Sequence, residues 1–421
     1  MTNNTQAPLG EMEDFDPNSL LADEATRRIE TAVSTVRGYE HVALRNALGR
    51  ILAEDIRSQI NVPPYANSAM DGYALCGDDL SKTGEIRLAV IGTAFAGHPH
   101  NGTAQRGTCV RIMTGAPMPR GTDTIVMQEH VVREENHIVV GAGHKSGQHV
   151  RQAGEDIAAG SIILNRGKRL RPADIGLLAS LGIAEAKIHR RLRVAFFSTG
   201  DELCSLGKPL REGQIYDSNR YTLHGMLTQL GAEIIDMGVV PDNRVAVSDA
   251  FLEAAACADV LITTGGVSVG EADYVKETLA ELGQVNFWKI AMKPGKPLAF
   301  GTVKQTVFFG LPGNPVSAMV TFHQYVRPAL LRMMGQTEIA PTTVRLRLAS
   351  RIKKSPGRME FQRGIMLRDT QGETVVKTTG AQGSHVLSSM SQANCFIVLP
   401  LECGSLEPGV TVTVQPFGDD M

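Results

Sequence analysis

From Leu21 to Val36 the apolar residues Leu21, Ala25, Ile29, Val33 and Val36 recur at helical spacing, and Gly38 supplies a stop. A second helix is predicted with Pro172 in its first turn, an apolar run over residues 175–181 and Gly182 as its end. Between them, residues 61–150 are rich in Gly, Pro and short β-branched runs such as CVRIM and TIVMQEHVV, which predicts a small β domain inserted into a helical one. Residues 1–18 carry almost no apolar pattern and are expected to be disordered.

From Arg191 to about Gly335 the pattern becomes strand, loop, helix, repeated. The strand VAFF leads into STGDEL, and a helix over about Arg220–Leu230 leads to the strand EIIDMGVV. The loop PDN then opens a helix over 244–257, followed by the strand DVLIT, the loop TGGVSVGEAD and a helix to Leu282. The strand VNFWKIAM, the loop KPGKP, the strand TVFFG, the loop LPGNP and a final amphipathic helix through Leu331 complete the series. Such alternation predicts a doubly wound, mostly parallel sheet, because parallel strands need helical crossovers. Beyond Pro341 short strands (VRLRLA, ETVVKTT, CFIVLP, VTVQPF) alternate with turns and predict a C-terminal β-barrel. The expected organisation is α/β multidomain: a tail at 1–18, a discontinuous N-terminal domain at 19–60 and 151–190, the β insert at 61–150, the sheet domain at 191–337 and the barrel at 338–421.

A length of 421 residues fits several domains of roughly 150 residues each. The 42 Lys and Arg nearly balance 44 Asp and Glu, so no broad field draws the chain to nucleic acid or an anionic membrane. No apolar run approaches the roughly 20 residues of a membrane span, and the start lacks a secretory pattern, so a cytosolic location is expected. Six scattered cysteines without a Cys-x-x-Cys read as reduced structural thiols, and His98 and His100 as solvated loop residues.

In an open parallel sheet the ligand site lies outside the carboxyl ends of the strands, where these loops converge. They supply Asp201, Glu202, Asp242, Glu271 and Asp273, with Lys289, Lys293 and Lys296, around glycines that let a ligand approach the backbone. Carboxylates facing lysines over a Gly-rich floor suit a phosphate ester bridged by a hard divalent cation such as Mg2+. The alternative is that the acids cap neighbouring helices, Asp242 above all. There is no GxxxxGK[ST], and GGVSVG lacks the GxGxxG spacing. In LPGNPVS, Gly313 permits close approach, Pro312 and Pro315 stiffen the turn, and the helix behind it offers an N-terminus to an anion.

STGDEL, TTGGVSVGEADY, KPGKP and GLPGNPVSA resemble the molybdopterin-binding domain. With NSAMDGYA, RIMTGAPMP and RQAGEDI in the N-terminal half and PGRMEFQRG and QGSH in the C-terminal part, the chain resembles the molybdopterin molybdenumtransferase family, MoeA in bacteria and the E domain of gephyrin in animals, from about residue 19 to the end. That resemblance implies a Mg2+-dependent enzyme that inserts molybdate into adenylylated molybdopterin with release of AMP. It implies catalytic roles for Asp71, Glu202, Asp242, Asp273, Lys289 and Lys293, with Asp242 and Asp273 as metal ligands. Thr114, Arg151, Asp156, Gly265, Gly266, Ser268, Lys296, Pro312, Gly313 and Pro315 would bind substrate, and Arg363 and Ser384 molybdate. Plainer alternatives are a surface salt bridge for Arg363, a turn hydroxyl for Ser384, a local turn for Asp71 and a hairpin corner for Glu155 and Asp156. The family architecture implies a homodimer with shared active sites, and contacts with other molybdenum-cofactor biosynthesis proteins. Two competing readings are the enzyme that adenylylates the pterin, which shares the sheet domain, and a scaffold, because the animal relative organises receptors.

Overall fold

Four apolar residues in succession, Val194–Phe197, can all be buried only if their strand is covered on both faces, and all four are fully buried. In the computed structural model, which describes residues 15–265 and 274–418, strand β1 (Arg193–Thr199) sends Val194 and Phe196 into one core with Leu223, Leu227 and Phe309. Ala195 and Phe197 enter the opposite core with Val247, Phe251 and Leu279. The two cores are lined by the helices of the crossovers: α1 (Ser218–Leu230) on the first face, α2 (Arg244–Cys257) and α3 (Tyr274–Leu282) on the second. With β2 (Glu233–Val240), β3 (Val260–Thr264), β4 (Gly283–Lys289), β5 (Pro297–Val303) and β6 (Thr306–Leu311), the six-stranded sheet has the order β2-β1-β3-β6-β5-β4. The first four strands pair in parallel, and β5 runs antiparallel to both its neighbours. The mostly parallel sheet expected from the alternation is therefore present.

Phe251 is fully buried and lies edge-on to Phe197, with ring centroids 5.5 Å apart, and 5.5 Å from Phe308. Phe251→Ala is expected to cost about 3–5 kcal/mol through lost burial and a residual cavity. The check is a lower urea midpoint with an unchanged slope.

The final helix is not continuous. Pro315–Thr321 and Arg327–Met333 are α-helical, whereas Phe322–Val326 widens and the Arg327 N–H bonds to the Phe322 carbonyl. Pro328 has no N–H to give to Gln324, so the register slips by one residue there. The first helix also ends early, spanning Ala22–Ala32 rather than reaching Val36. Val33 is extended and the Val36 N–H donates to the Met333 carbonyl, a tertiary partner that competes with the weak helical preference of the run Val33–Val36.

Around the sheet domain, the expected helix is found at Pro172–Ser180, and two antiparallel ladders join the flanks of the insert: Tyr39–Ala43 with Glu185–His189, and Ile56–Arg57 with Ile162–Leu164. The insert holds a six-stranded mixed sheet in the order 124–127, 72–75, 108–112, 86–94, 137–140, 131–134. In the C-terminal part, Met359–Arg368, Thr374–Thr378, Val344–Leu348, Thr411–Pro416 and Cys395–Leu399 pair in that order, and the last returns to the first, closing a five-stranded barrel. Its longest strand carries the PGRMEFQRG segment. All six cysteines are free thiols, and no helix among the described residues is long and apolar enough to cross a membrane. His100 is not solvated as expected: its ring packs so closely on Gly92 and Gly102 that a Cβ at either would lie 2.6 or 2.5 Å from it.

Candidate functional site

Strand register brings the functional loops to one edge. Thr199 pairs with Val240, Ser198 with Thr264, and Thr264 with Leu311, so four parallel strands end nearly level and release their loops together. Gly265 continues β3 at φ +85°, where a Cβ would meet the Thr199 carbonyl at 2.5 Å, so only glycine fits. A Cβ on Gly313 would lie 4.0 Å from the Gly265 Cα, so these two glycines form a bare floor at the sheet edge. The Asn219 amide, in the first turn of α1, donates to the Gly313 carbonyl at 2.7 Å and holds this loop in place.

Three acids gather above the edge. Asp242 has its pKa raised, first by burial and then by the charges of Asp201 and Glu202. The alternative that Asp242 caps a helix is not what the structure contains, since the cap of α2 is Asn243, whose Oδ1 accepts from the Ala246 N–H at 2.9 Å. Asp242 is thus left to the cleft. Among the described residues no group of three His, Cys, Asp or Glu is close enough to cage a metal. Mg2+ does not require one, because it keeps several waters and takes one or two carboxylates beside substrate phosphate oxygens. Glu271, Asp273, Gly266 and Ser268 lie outside the described residues.

The raised Asp242 has two consequences of opposite sign. Protonation favours the folded state, so stability contributed through this group rises as pH falls through the raised pKa, while its capacity to hold a cation is lost. Asp201→Asn removes one repelling charge and is expected to shift the acid limb of the pH–rate profile to lower pH. An unmoved limb would exclude Asp242 as the group that titrates.

The lysines do not simply face these acids. Lys293 lies 3.4 Å from Glu360, whose side chain is only 4% exposed, and Lys296 lies 3.1 Å from Asp16. Asp16 belongs to the segment expected to be disordered, yet it is described, and its pKa is lowered by a hydrogen bond from the Asn18 N–H, then by Lys296 and Lys289. The Lys289 carbonyl accepts from the Leu20 N–H at 2.7 Å. The KPGKP turn is consequently held from three sides. Met292 and Lys293 pair in parallel with Met359 and Glu360 of the barrel, Leu20 bonds the strand end before it at Lys289 and Ala291 while Asp16 holds Lys296, and Gly295 packs where a Cβ would meet Thr321 Oγ1 at 2.5 Å.

Barrel and sheet meet again at the LPGNP helix. Pro315 is its first residue, and the following Val316 N–H is already taken by the Ser384 carbonyl at 3.1 Å. Ser384 therefore meets the LPGNP helix at its first turn, beside Pro315. Arg363 is 1% exposed, so it is not in a surface salt bridge. Its guanidinium donates to the carbonyls of Ala381 and Gly383 at 3.3 and 3.0 Å and to Ser389 Oγ at 3.0 Å, fixing the loop that carries Ser384. Burial lowers its pKa to about 10, with Glu360 opposing, so it remains a cation at neutral pH.

A second group forms on the insert. The Thr114 N–H and hydroxyl both donate to Asp71 Oδ1 at 2.7 Å, and these bonds, the backbone one first, lower the Asp71 pKa. Asp71 thus ties two loops rather than only its own turn. Arg151 pairs with Asn67 in the adjoining ladder. Glu155 does form a hairpin corner, accepting from the Gln152 N–H at 2.8 Å, while the Asp156 N–H donates to the Val62 carbonyl.

Asp217, Asn219, Glu360, Ser389 and Asp16 escaped the sequence reading. Only Asp217 had a usable signal, the Asp-Ser start of a helix. The others are recognisable only by what they touch.

Residues 20–182 match the model of the MoeA N-terminal region (domain I and II), 195–332 that of a probable molybdopterin binding domain, and 345–417 that of the MoeA C-terminal region (domain IV). The chain is 47% identical over 400 residues to molybdopterin molybdenumtransferase of Haemophilus influenzae, covering 94% of this chain and 98% of that one. It is 35% identical to gephyrin of Dictyostelium discoideum, covering 95% of this chain and 62% of the relative. The crystal structure of the molybdopterin biosynthesis moeA protein from Pyrococcus horikoshii OT3 superposes with a TM-score of 0.84 at 28% identity, covering 95% of this chain and all of that one.

Proposed function

The chain belongs to the MoeA family, and from that membership we propose that it is a molybdopterin molybdenumtransferase, which inserts molybdate into adenylylated molybdopterin and releases AMP. One observation carries the reading. The KPGKP turn sits between the LPGNP helix and the barrel strand of Arg363, and the 381–384 loop that Arg363 holds meets the same helix at Val316, which supports lysines and an oxyanion loop acting together.

The residues have distinct tasks. Asp242, with Asp273 outside the described residues, would hold Mg2+, whose charge when bound polarises the phosphate oxygens beside the bond that breaks. Mutual repulsion from Asp201 and Glu202 fits such a cation, which relieves it. Lys289, Lys293 and Lys296 neutralise charge that develops on the departing AMP; Glu360 and Asp16 hold the latter two ammonium groups near their working positions beforehand. Pro312, Gly313 and Pro315 with Gly265 shape the pterin side. Arg363 and Ser384 form the molybdate side, Arg363 by holding the 381–384 loop as well as by its charge. Asp71, Thr114, Arg151 and Asp156 complete the cleft from a second subunit of a homodimer. A cytosolic enzyme that hands its product to other molybdenum-cofactor proteins follows from the same reading.

The test is AMP release. Purified protein with adenylylated molybdopterin and Mg2+ is expected to liberate AMP, measured chromatographically, only when molybdate is added. An adenylylating enzyme would instead consume ATP. A folded protein that releases no AMP in either condition overturns the proposal.

A further inference from the structure

The first turn of α1 holds two acceptors that the helix does not need. Asp217 is 3% exposed; one carboxylate oxygen accepts from the Arg220 N–H at 3.1 Å as the helix cap. The other, Oδ2, is buried and has no hydrogen-bond partner among the described residues. A cap uses one oxygen, and a neutral Ser or Asn would serve equally without burying a charge, so capping leaves Oδ2 unexplained. Two residues on, the Asn219 Nδ2 donates to the Gly313 carbonyl, which fixes the amide orientation and makes the other end an acceptor. That Oδ1 is also buried and has no partner among the described residues. The same bond sets Asn219 beside the bare floor of Gly265 and Gly313, where a flat ring can rest against backbone.

A site with paired buried acceptors and a flat floor fits a planar heterocycle with adjacent N–H donors. We propose that Asp217 and Asn219 read the N–H edge of the substrate's pterin ring, Asp217 Oδ2 and Asn219 Oδ1 accepting from the ring N–H and the 2-amino group. This rests on the molybdenumtransferase reading above, since the pterin is the planar part of that substrate. The bonds are charge-assisted at Asp217, and among the described residues these oxygens have no protein donor, so a ring without the donors leaves buried acceptors unsatisfied. Discrimination is therefore stronger than simple stacking would provide.

Molybdopterin binding, followed by pterin fluorescence, tests it. Asp217→Asn keeps the capping oxygen but can turn an amide donor towards the ring donors, and Asp217→Ser keeps a cap and removes Oδ2. Both are expected to weaken molybdopterin roughly 10- to 100-fold while AMP alone binds as to wild type. Wild type should also prefer pterin over lumazine, its 2-oxo analogue, and both variants should lose that preference. Wild-type affinity in two folded variants, equal losses for AMP and molybdopterin, or a retained preference for pterin would each overturn the assignment and leave the transferase reading standing. A folded wild-type protein that does not bind molybdopterin overturns both.

Discussion

A one-to-one mixture of Asp71→Ala and Asp242→Ala proteins, each nearly inactive alone, is expected to recover about a quarter of wild-type activity once subunits exchange. Asp71 sits on the insert, held by Thr114, whereas Asp242 follows β2 at the edge of the central sheet. If one cleft takes Asp71 from one subunit and Asp242 from the other, two-fold symmetry places both defects of a mixed dimer in the same cleft. The second cleft is intact. Random exchange makes about half the dimers mixed, and half their clefts work. Were both residues supplied by one subunit, each cleft of the mixed dimer would carry one defect and no activity would return. Failure to recover, with exchange verified by differential tags, removes the shared-site model without touching the assigned reaction.

Arg363→Ala is expected to act on molybdate and on folding together, and the two are separable. The buried guanidinium holds the carbonyls of Ala381 and Gly383 at the edge of the barrel and, in its interior, the Ser389 hydroxyl. Truncation leaves the buried Ser389 hydroxyl without this donor, at about 1–3 kcal/mol for a buried group, so the thermal midpoint falls by several degrees. The loop then loses its hold on Ser384 beside the LPGNP helix. The molybdate concentration for half-maximal AMP release should rise at least roughly tenfold, whereas affinity for adenylylated molybdopterin changes far less. Arg363→Lys keeps the charge but lacks the planar fork, so it should restore stability only in part. Parallel losses for both ligands would reduce Arg363 to a folding role.

Much of this architecture was legible in the chain because its signals are local. The four-residue run Val194–Phe197 announces a strand buried on both faces, and the alternation of such strands with helical periods gives the parallel sheet and the edge where its loops emerge. Pro172 and Gly182 mark a helix by backbone geometry alone. The assembled motifs pointed to the family, since their order preserves a whole set of loops.

What the tertiary structure decided is which identical chemical groups are used where. Asp242 and Asn243 are both competent caps, and only backbone direction at the start of α2 gives the role to Asn243 and frees the acid. Lys296 finds Asp16 across 280 residues, and Ser384 offers its carbonyl to Val316, pairings that no spacing encodes. Arg363 could equally be a surface cation by composition; the closed barrel buries it and turns its charge to holding a loop. Periodicity reports which face of an element is apolar, because burial of apolar area is non-directional. Hydrogen bonds and ion pairs act over a few ångströms with strict geometry, so their partners exist only once the chain has packed.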